Sequence, residues 1–383
     1  MNVVFVSNYF NHHQQPMSDR LYALCREAGG SYTFMQTEPM EEERVQMGWG
    51  EVFRCTPYLT EYWKNPEACQ RQIDEADAVI FGGTDEECYI QSRLKAGKPI
   101  WRYSERLYKN GRYKFISPRG LRKKFLDHTR YCFGRVYLLC AGAYVAGDFR
   151  LVSAYPGKKY RFGYFPACKQ YDVEALLAGK ESRNSGTMQL FWAARMIDWK
   201  HPEVPVRLAR SLKDAGYSFR LIMAGDGDRA EAMRAYAEEL QVEDVIDFVG
   251  NQNPERVRTY MEKSDIYLTT SDYGEGWGAV INEAMNSGCA VVANKAMGAA
   301  PYLIEQGRNG FYYRNGHEEE LLAHVEKLMK DEALRRKIGI AAYATIRENW
   351  NGDLAANRLF ACMRAELSGE KMPVFLSGPM SKA

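Results

Sequence analysis

The feature that most constrains this chain is an alternation, run through twice, between short apolar strand-like segments and amphipathic helix-like segments. The first series opens on Val3-Val4-Phe5-Val6 and continues with apolar runs at 32–35, 78–81, 100–103, 136–140 and 161–165. Helical patterns at 17–27, 69–75 and 87–95 lie between them. The second series sets strands at 189–193, 219–224, 245–249, 266–270 and 290–293 against helices at 204–215, 229–240, 254–262 and 279–287. Continuous apolar strands need cover on both faces, so the pattern predicts α/β architecture with parallel sheets coated by helices. Two series of similar size in 383 residues predict two Rossmann-like doubly wound domains, at 1–168 and 188–350, facing each other across a cleft. The polar stretch 169–187, containing Gly179-Lys180-Glu181-Ser182-Arg183-Asn184-Ser185-Gly186, reads as a linker. Helical patterns follow at 318–329, 333–348 and 353–367, and the Pro/Gly/Ser-bearing tail 368–383 is expected to be loosely held.

Several classes are excluded early. Lys plus Arg is 51 against 49 Asp plus Glu, so the net charge of +2 gives no bulk attraction to nucleic acid. The longest apolar run, 136–146, is interrupted by glycine and too short to span a bilayer. The opening residues lack a basic leader and a small-residue cleavage site, so no signal peptide is expected. Nine cysteines, at 25, 55, 69, 88, 132, 140, 168, 289 and 362, form no Cys-x-x-Cys pair. They read as small hydrophobes in a reducing cytoplasm, with no zinc or redox centre.

The most informative stretch is Glu275-Gly276-Trp277-Gly278-Ala279-Val280-Ile281-Asn282-Glu283, where a strand ends, a glycine-rich turn follows and a helix begins. In an open α/β sheet, ligands bind where such turns gather at the carboxyl ends of strands. The N–H groups of Gly278, Ala279 and Val280 are expected to face an anion such as a diphosphate, and the glycines allow close approach. Glu283, one turn into the helix, is placed to accept hydrogen bonds from a sugar diol, and Glu275 from a second polyol. The bland alternative is that both glutamates only favour a helix start, an effect of up to ~1 kcal/mol each.

This segment resembles the signature of retaining glycosyltransferases of family 4, which have the two-domain GT-B fold. The resemblance implies that Glu275 contacts the donor sugar hydroxyls and Glu283 the ribose of the nucleotide. Phe191-Trp192-Ala193-Ala194-Arg195-Met196 through Lys200 is similar to the family's opening of the C-terminal domain, which implies that Arg195 and Lys200 neutralise the diphosphate. Fixed cations there would stabilise the charge that a leaving diphosphate gains in the transition state. Leu221 to Gly227 resembles a strand and Gly-x-Gly turn near the nucleotide. Phe248-Val249-Gly250-Asn251 resembles the segment whose backbone, at Val249 and Asn251, edges the base. Pro301 to Phe311 resembles a structural stretch, and the fold implies that the helix at 353–367 crosses back onto the first domain. No metal or other cofactor is implied, only the nucleotide-diphosphate sugar as co-substrate.

The N-terminal half matches in architecture more than in motif. The loop after the first strand, Asn8-Tyr9-Phe10-Asn11-His12-His13-Gln14-Gln15, departs from the family's glycine-rich pattern. Its amides and imidazoles, Asn8, His12 and His13 among them, suit a polyol acceptor or the donor phosphate. Two adjacent histidines without a nearby carboxylate in sequence make a poor metal site. Where many members place a histidine after the strand at 99–103, this chain has Ser104-Glu105-Arg106. Glu105 is a candidate polar contact to donor or acceptor, against the alternative that Glu105 and Arg106 are exposed loop charges.

Arg119, Arg122, Lys123, Lys124 and Arg130, with Phe125 among them, form one concentrated basic patch, and Lys158-Lys159-Tyr160-Arg161 a smaller one. They suit docking on anionic lipid, against the alternative of a solvated helix face. The resulting expectation is a cytoplasmic, metal-independent retaining glycosyltransferase, peripheral on the inner face of the cell membrane. It would move a sugar from a nucleotide donor to a saccharide or lipid-linked acceptor in bacterial surface polysaccharide synthesis. The rivals are a non-catalytic sugar-nucleotide-binding subunit and an epimerase on the same fold. A Rossmann oxidoreductase is disfavoured because no Gly-x-Gly-x-x-Gly follows the first strand.

Overall fold

The computed structural model describes residues 1–42, 45, 56–109, 111–183 and 186–383. They divide into two units, one of Met1–Ala167 with Asn349–Ala383, the other Cys168–Glu348.

The first unit is built on seven strands: β1 (Val3–Ser7), β2 (Tyr32–Gln36), β3 (Leu59–Glu61), β4 (Ala78–Gly82), β5 (Ile100–Ser104), β6 (Val136–Ala141) and β7 (Lys159–Phe162). All pair in parallel in the order β3-β2-β1-β4-β5-β6-β7. Every residue of β1, β4 and β6 is buried, which is why these strands read as unbroken apolar runs. The Gln15–Glu27 helix packs against the Gly352–Ser368 helix. Gly352 permits that approach, since a Cβ there would lie 2.9 Å from the Met17 backbone nitrogen. Glu366 of the returning helix accepts from Arg135 Nε at 2.6 Å and from the Tyr137 hydroxyl.

The second unit has six parallel strands: β8 (Met188–Ala193), β9 (Phe219–Ala224), β10 (Ile246–Gly250), β11 (Ile266–Thr269), β12 (Ala290–Asn294) and β13 (Phe311–Tyr313). Their order is β10-β9-β8-β11-β12-β13. Its core is formed by Leu190, Trp192, Leu221, Leu268 and Val292 on the strands with Val206, Leu212, Val325 and Leu328 on the covering helices. In both sheets the winding reverses beside the first strand, between β1 and β4 and between β8 and β11. Those two points are where an open α/β sheet leaves a crevice at its carboxyl edge.

Three expectations differ from the structure, and two short strands were not expected. The stretch 169–187 contains a helix, Val173–Arg183, while Asn184 and Ser185 of that expectation lie outside the described residues. Buried Lys180 fixes this helix: its Nζ donates to the carbonyls of Met261 (3.1 Å), Ser264 (2.8 Å) and Ser287 (2.8 Å). Those carbonyls end two helices and attract a cation. Leaving one unpaired costs about 1–3 kcal/mol. The tail 368–383 is also held: Arg161 N donates to Ser381 O at 2.7 Å and Met380 N to Arg161 O at 2.8 Å, an antiparallel contact on the free edge of β7. The strand expected at 161–165 lies earlier, at Lys159–Phe162. Its small basic patch is tied into the same edge, with Lys159 Nζ on the Tyr155 carbonyl at 3.1 Å. Finally, β3 and β13 are three residues each, too short to leave a pattern.

Eight described cysteines are free, six of them buried, and Cys55 lies outside the described residues. No helix among the described residues is long and apolar enough to cross a membrane.

Candidate functional site

In the second unit the reversal point lies between β8 and β11, and the turns leaving these strands carry Arg195 to Lys200 and Ser271 to Ala279. The carboxyl ends are laced together. Ala194 N donates to Ala224 O (3.1 Å), Met196 N to Asp226 O (2.8 Å) and Gly225 N to Gly250 O (2.8 Å). Gly225, at φ 137°, is required because a Cβ would fall 1.8 Å from the Ala194 carbonyl oxygen. These bonds explain why residues distant in sequence share one rim.

Lys200 and Glu275, 75 residues apart, are brought into direct contact as a half-buried ion pair, Nζ on Oε2. Lys200 ends a short 3₁₀ turn, Asp198–Lys200, and its ammonium lies 4.1 Å from the centre of the Trp199 ring. Its carbonyl accepts from Thr270 Oγ1 at 2.6 Å, and Trp192 Nε1 donates to the same hydroxyl at 2.9 Å. Glu275 is set by its backbone N–H on the Asp272 carbonyl at 3.1 Å. Arg195 is exposed, with no ion pair among the described residues.

The glycine turn has a rigid interior. Trp277 is fully buried and its indole donates to Asn282 Oδ1 at 2.9 Å, so this side chain anchors the turn. Gly276 is buried with it. Gly278 sits at φ 94°, and a Cβ there would lie 2.3 Å from Met297 Cε, so the turn admits only glycine without rearrangement. Among the described residues, the N–H groups of Gly278, Ala279 and Val280 have no acceptor. The helix that follows, Val280–Asn286, is short and carries Glu283 in its first turn. Burial pushes the Glu283 carboxyl above its usual range, opposed by the charges of Arg258 and Lys169. Arg258 is itself buried and donates to Asn286 Oδ1, three positions beyond Glu283. Val249 and Asn251 lie at the end of the edge strand β10, where the register shifts, and the Val249 carbonyl accepts from Gln252 Nε2 at 2.6 Å.

Sequence reasoning missed His201. It follows Lys200 in the left-handed region, φ 50°, and its ring nitrogens face Glu203 Oε1 (3.0 Å) and Asp272 Oδ2 (3.2 Å). Glycine or asparagine usually announces that backbone state, so a histidine there left no signal.

In the first unit, Asn8 follows β1 and receives Ser7 Oγ at 3.2 Å, while a Cβ on Gly83, which follows β4, would meet both side chains. His12 and His13 stand with ring centroids 3.9 Å apart. His13 lies 6.3 Å from the ring of Tyr164, whose hydroxyl donates to Glu105 Oε1 at 2.8 Å, and Lys109 pairs with the other Glu105 oxygen. His13, Tyr164 and Glu105 are therefore contiguous at the carboxyl edge. Glu105 is held by partners, and Arg106 is not an exposed loop charge. Its guanidinium is buried on Asp148, 3.2 Å from Nε to Oδ2.

The expected basic patch lies on the Pro118–Asp127 helix, which buries none of its residues. Arg119, Arg122, Lys123 and Arg130 are exposed and Lys124 is half-buried. Beside them stand Phe133 at 88% exposure, Tyr113 at 70%, Ile116 at 67% and Phe125 at 54%.

Comparison with known proteins is consistent with this geometry. Residues 176–345 match the family model described as glycosyl transferases group 1. The amylovoran biosynthesis glycosyltransferase AmsK of Erwinia amylovora is 28% identical over 177 residues, 45% of this chain and 43% of that protein. A poly(glycerol-phosphate) alpha-glucosyltransferase of Bacillus subtilis is 22% identical over 94% of this chain and 50% of its own length. The chain thus spans about half or less of the length of these relatives. The crystal structure of Anabaena HepE with UDP and glucose superposes with a TM-score of 0.66 at 14% identity, covering 94% of this chain and 98% of that one. The two parallel sheets share the GT-B fold of that structure.

Proposed function

Given a group 1 glycosyltransferase domain over residues 176–345, we propose that the protein moves a sugar from a nucleotide-diphosphate donor to a saccharide or lipid-linked acceptor. The observation that carries this reading is the Lys200–Glu275 pair at the reversal point of the second sheet. A diphosphate competes for the Lys200 ammonium and releases the Glu275 carboxylate to the hydroxyls of the donor sugar. Arg195, exposed on the same turn, supplies a second cation. Together they take up the charge that builds on the leaving phosphate as the bond from the sugar's anomeric carbon breaks. No metal is needed for that role. Glu283 receives the ribose hydroxyls, and the backbone at Gly278, Ala279, Val280, Val249 and Asn251 lines the rest of the donor.

The reaction is read as retaining, on the family 4 resemblance. The acceptor oxygen adds to the anomeric carbon on the face that the diphosphate leaves, and its proton passes to a phosphate oxygen. The first unit supplies the acceptor groups: Asn8, His12, His13 and Glu105 are neutral or hydroxyl-binding chemistry. The names of relatives such as AmsK favour a place in bacterial surface polysaccharide synthesis. The unburied Pro118–Asp127 helix, cationic and aromatic together, supports peripheral contact with the anionic inner face of the cell membrane. The test is nucleotide release from a panel of UDP-, GDP-, ADP- and dTDP-sugars, with and without lipid-linked oligosaccharide. Turnover of one donor, increased by acceptor, is expected; if no donor is bound or cleaved, the reading fails.

A further inference from the structure

The turns leaving β8 and β11 are joined by the Lys200–Glu275 pair and by a second side chain, His201. His201 stands directly after Lys200 at φ 50°, ψ 58°, a backbone state that an L side chain occupies only when its surroundings hold it there. Its backbone is fixed on both sides, N–H to Asp198 O at 3.0 Å and C=O from Val204 N at 3.2 Å. One ring nitrogen lies 3.0 Å from Glu203 Oε1, on the helix following β8. The other lies 3.2 Å from Asp272 Oδ2, on the turn following β11.

Asp272 in turn organises the residues that carry Glu275. Its N–H donates to Trp199 O (3.0 Å), its Oδ1 accepts from Gly274 N (2.7 Å), and its carbonyl accepts from Glu275 N (3.1 Å). The imidazole thus bridges the segment bearing Lys200 to the segment bearing Glu275. Both ring nitrogens face carboxylate oxygens, an arrangement that only the doubly protonated ring satisfies, since a neutral imidazole has one N–H and one lone pair.

We propose that His201 is a positioning residue: its imidazolium clamps Asp272 to Glu203 and thereby sets Lys200 against Glu275 for the donor diphosphate. This rests on the donor-site reading above and adds a regulation to it, because the clamp opens when the ring loses a proton. The charged groups around the ring are Glu203 and Asp272 in contact, and Arg229, 3.8 Å from Glu203 and paired with Asp198 at 2.9 Å. The Lys200–Glu275 pair begins at the residue directly before His201. The bond to Glu203 raises the His201 pKa above its usual value, burial opposes it, and Asp272 adds to the rise. A group raised in this way holds its proton to higher pH than a free imidazole and releases it as pH climbs through the raised value, so the clamp is closed on the acid side.

The test compares wild type with His201→Gly, which removes the clamp while suiting the left-handed backbone, and with His201→Gln. At pH 6 the glycine variant is expected to lose about tenfold in kcat with little change in nucleotide KM. The ratio of wild-type to variant kcat is expected to fall toward one by pH 9, and His201→Gln should show no such pH-dependent ratio against His201→Gly. In parallel, the NMR titration of the His201 ring should lie above about 6.5 in wild type and drop in Asp272→Asn. A constant ratio across pH, or a ring titrating at the ordinary value and indifferent to Asp272, overturns the proposal. If wild type cleaves no donor at all, the transferase reading falls instead, and the ring titration still decides the clamp.

Discussion

The two units wind their sheets in the same order yet finish their carboxyl edges with opposite chemistry. At the reversal point of the second sheet stand Arg195, Lys200, His201, Asp272 and Glu275, where Lys200 pairs with Glu275 and His201 with Asp272 while Arg195 is exposed. At the reversal point of the first sheet stand Asn8, Gln14 and Gly83, with His12, His13, Tyr164 and Glu105 along the same edge. Fixed charges suit a phosphate whose charge grows during reaction; amides, imidazoles, a phenol and the Lys109-paired Glu105 carboxylate suit hydroxyls that stay neutral. A shared fold thus carries two edges furnished with different loop chemistry.

The largest effect that would sharpen this contrast is at Glu275. Glu275→Ala is expected to lower kcat by about 10²–10³-fold, the scale of removing one group that acts on the transition state. Nucleotide affinity should stay or tighten, because Lys200 loses its internal partner. Equal losses in kcat and in nucleotide binding would break the division of roles.

Next comes Glu283. Glu283→Gln should weaken nucleotide binding by about 10-fold or more, the worth of a hydrogen bond to a charged group, measured by calorimetry. The same variant should be more stable than wild type. Burial raises the Glu283 pKa, so the ionised carboxylate is disfavoured in the fold above that value, and the neutral amide avoids this. The difference in Tm should be largest at neutral pH and shrink on acidification toward the unfolded-state value.

On the edge of the first unit the effects should be smaller. Asn8→Ala and Tyr164→Phe are expected to raise acceptor KM about 5–10-fold, as for neutral hydrogen bonds, while donor hydrolysis without acceptor is unchanged. A fall in donor hydrolysis would place these residues at the donor instead. Smallest, one by one, are the cations of the Pro118–Asp127 helix. Each of Arg119→Ala and Arg122→Ala should reduce binding to vesicles containing anionic lipid by about fivefold, near 1 kcal/mol per charge. Phe133→Ser, which removes an aromatic at 88% exposure, should do so in neutral vesicles as well.

The contrast also explains what was legible beforehand. Strands such as β1, β4 and β11 are buried on both faces, so their composition alone identified them, and Gly278 marked its turn because no other residue fits. Glu275 was singled out through that turn, and Lys200 through the resemblance of the stretch 191–200. What escaped has physical causes. The Val173–Arg183 helix looked like a polar linker because its key residue is a buried lysine, and charge is normally read as exposure. The tail looked loose because its hold is backbone pairing with β7, which leaves no side-chain pattern. His201 and Tyr164 act through partners 71 and 59 residues away, Asp272 and Glu105, which no local pattern links.

The central claim is that the reversal point of the second sheet is a nucleotide-sugar site built on Lys200 and Glu283. Calorimetric titration of UDP-, GDP-, ADP- and dTDP-sugars into wild type, Lys200→Met and Glu283→Gln tests it most directly. One donor is expected to bind wild type, the lysine variant to lose affinity mainly for the diphosphate, and the glutamine variant for the nucleoside. Binding of no donor, or binding left intact in both variants, would contradict it.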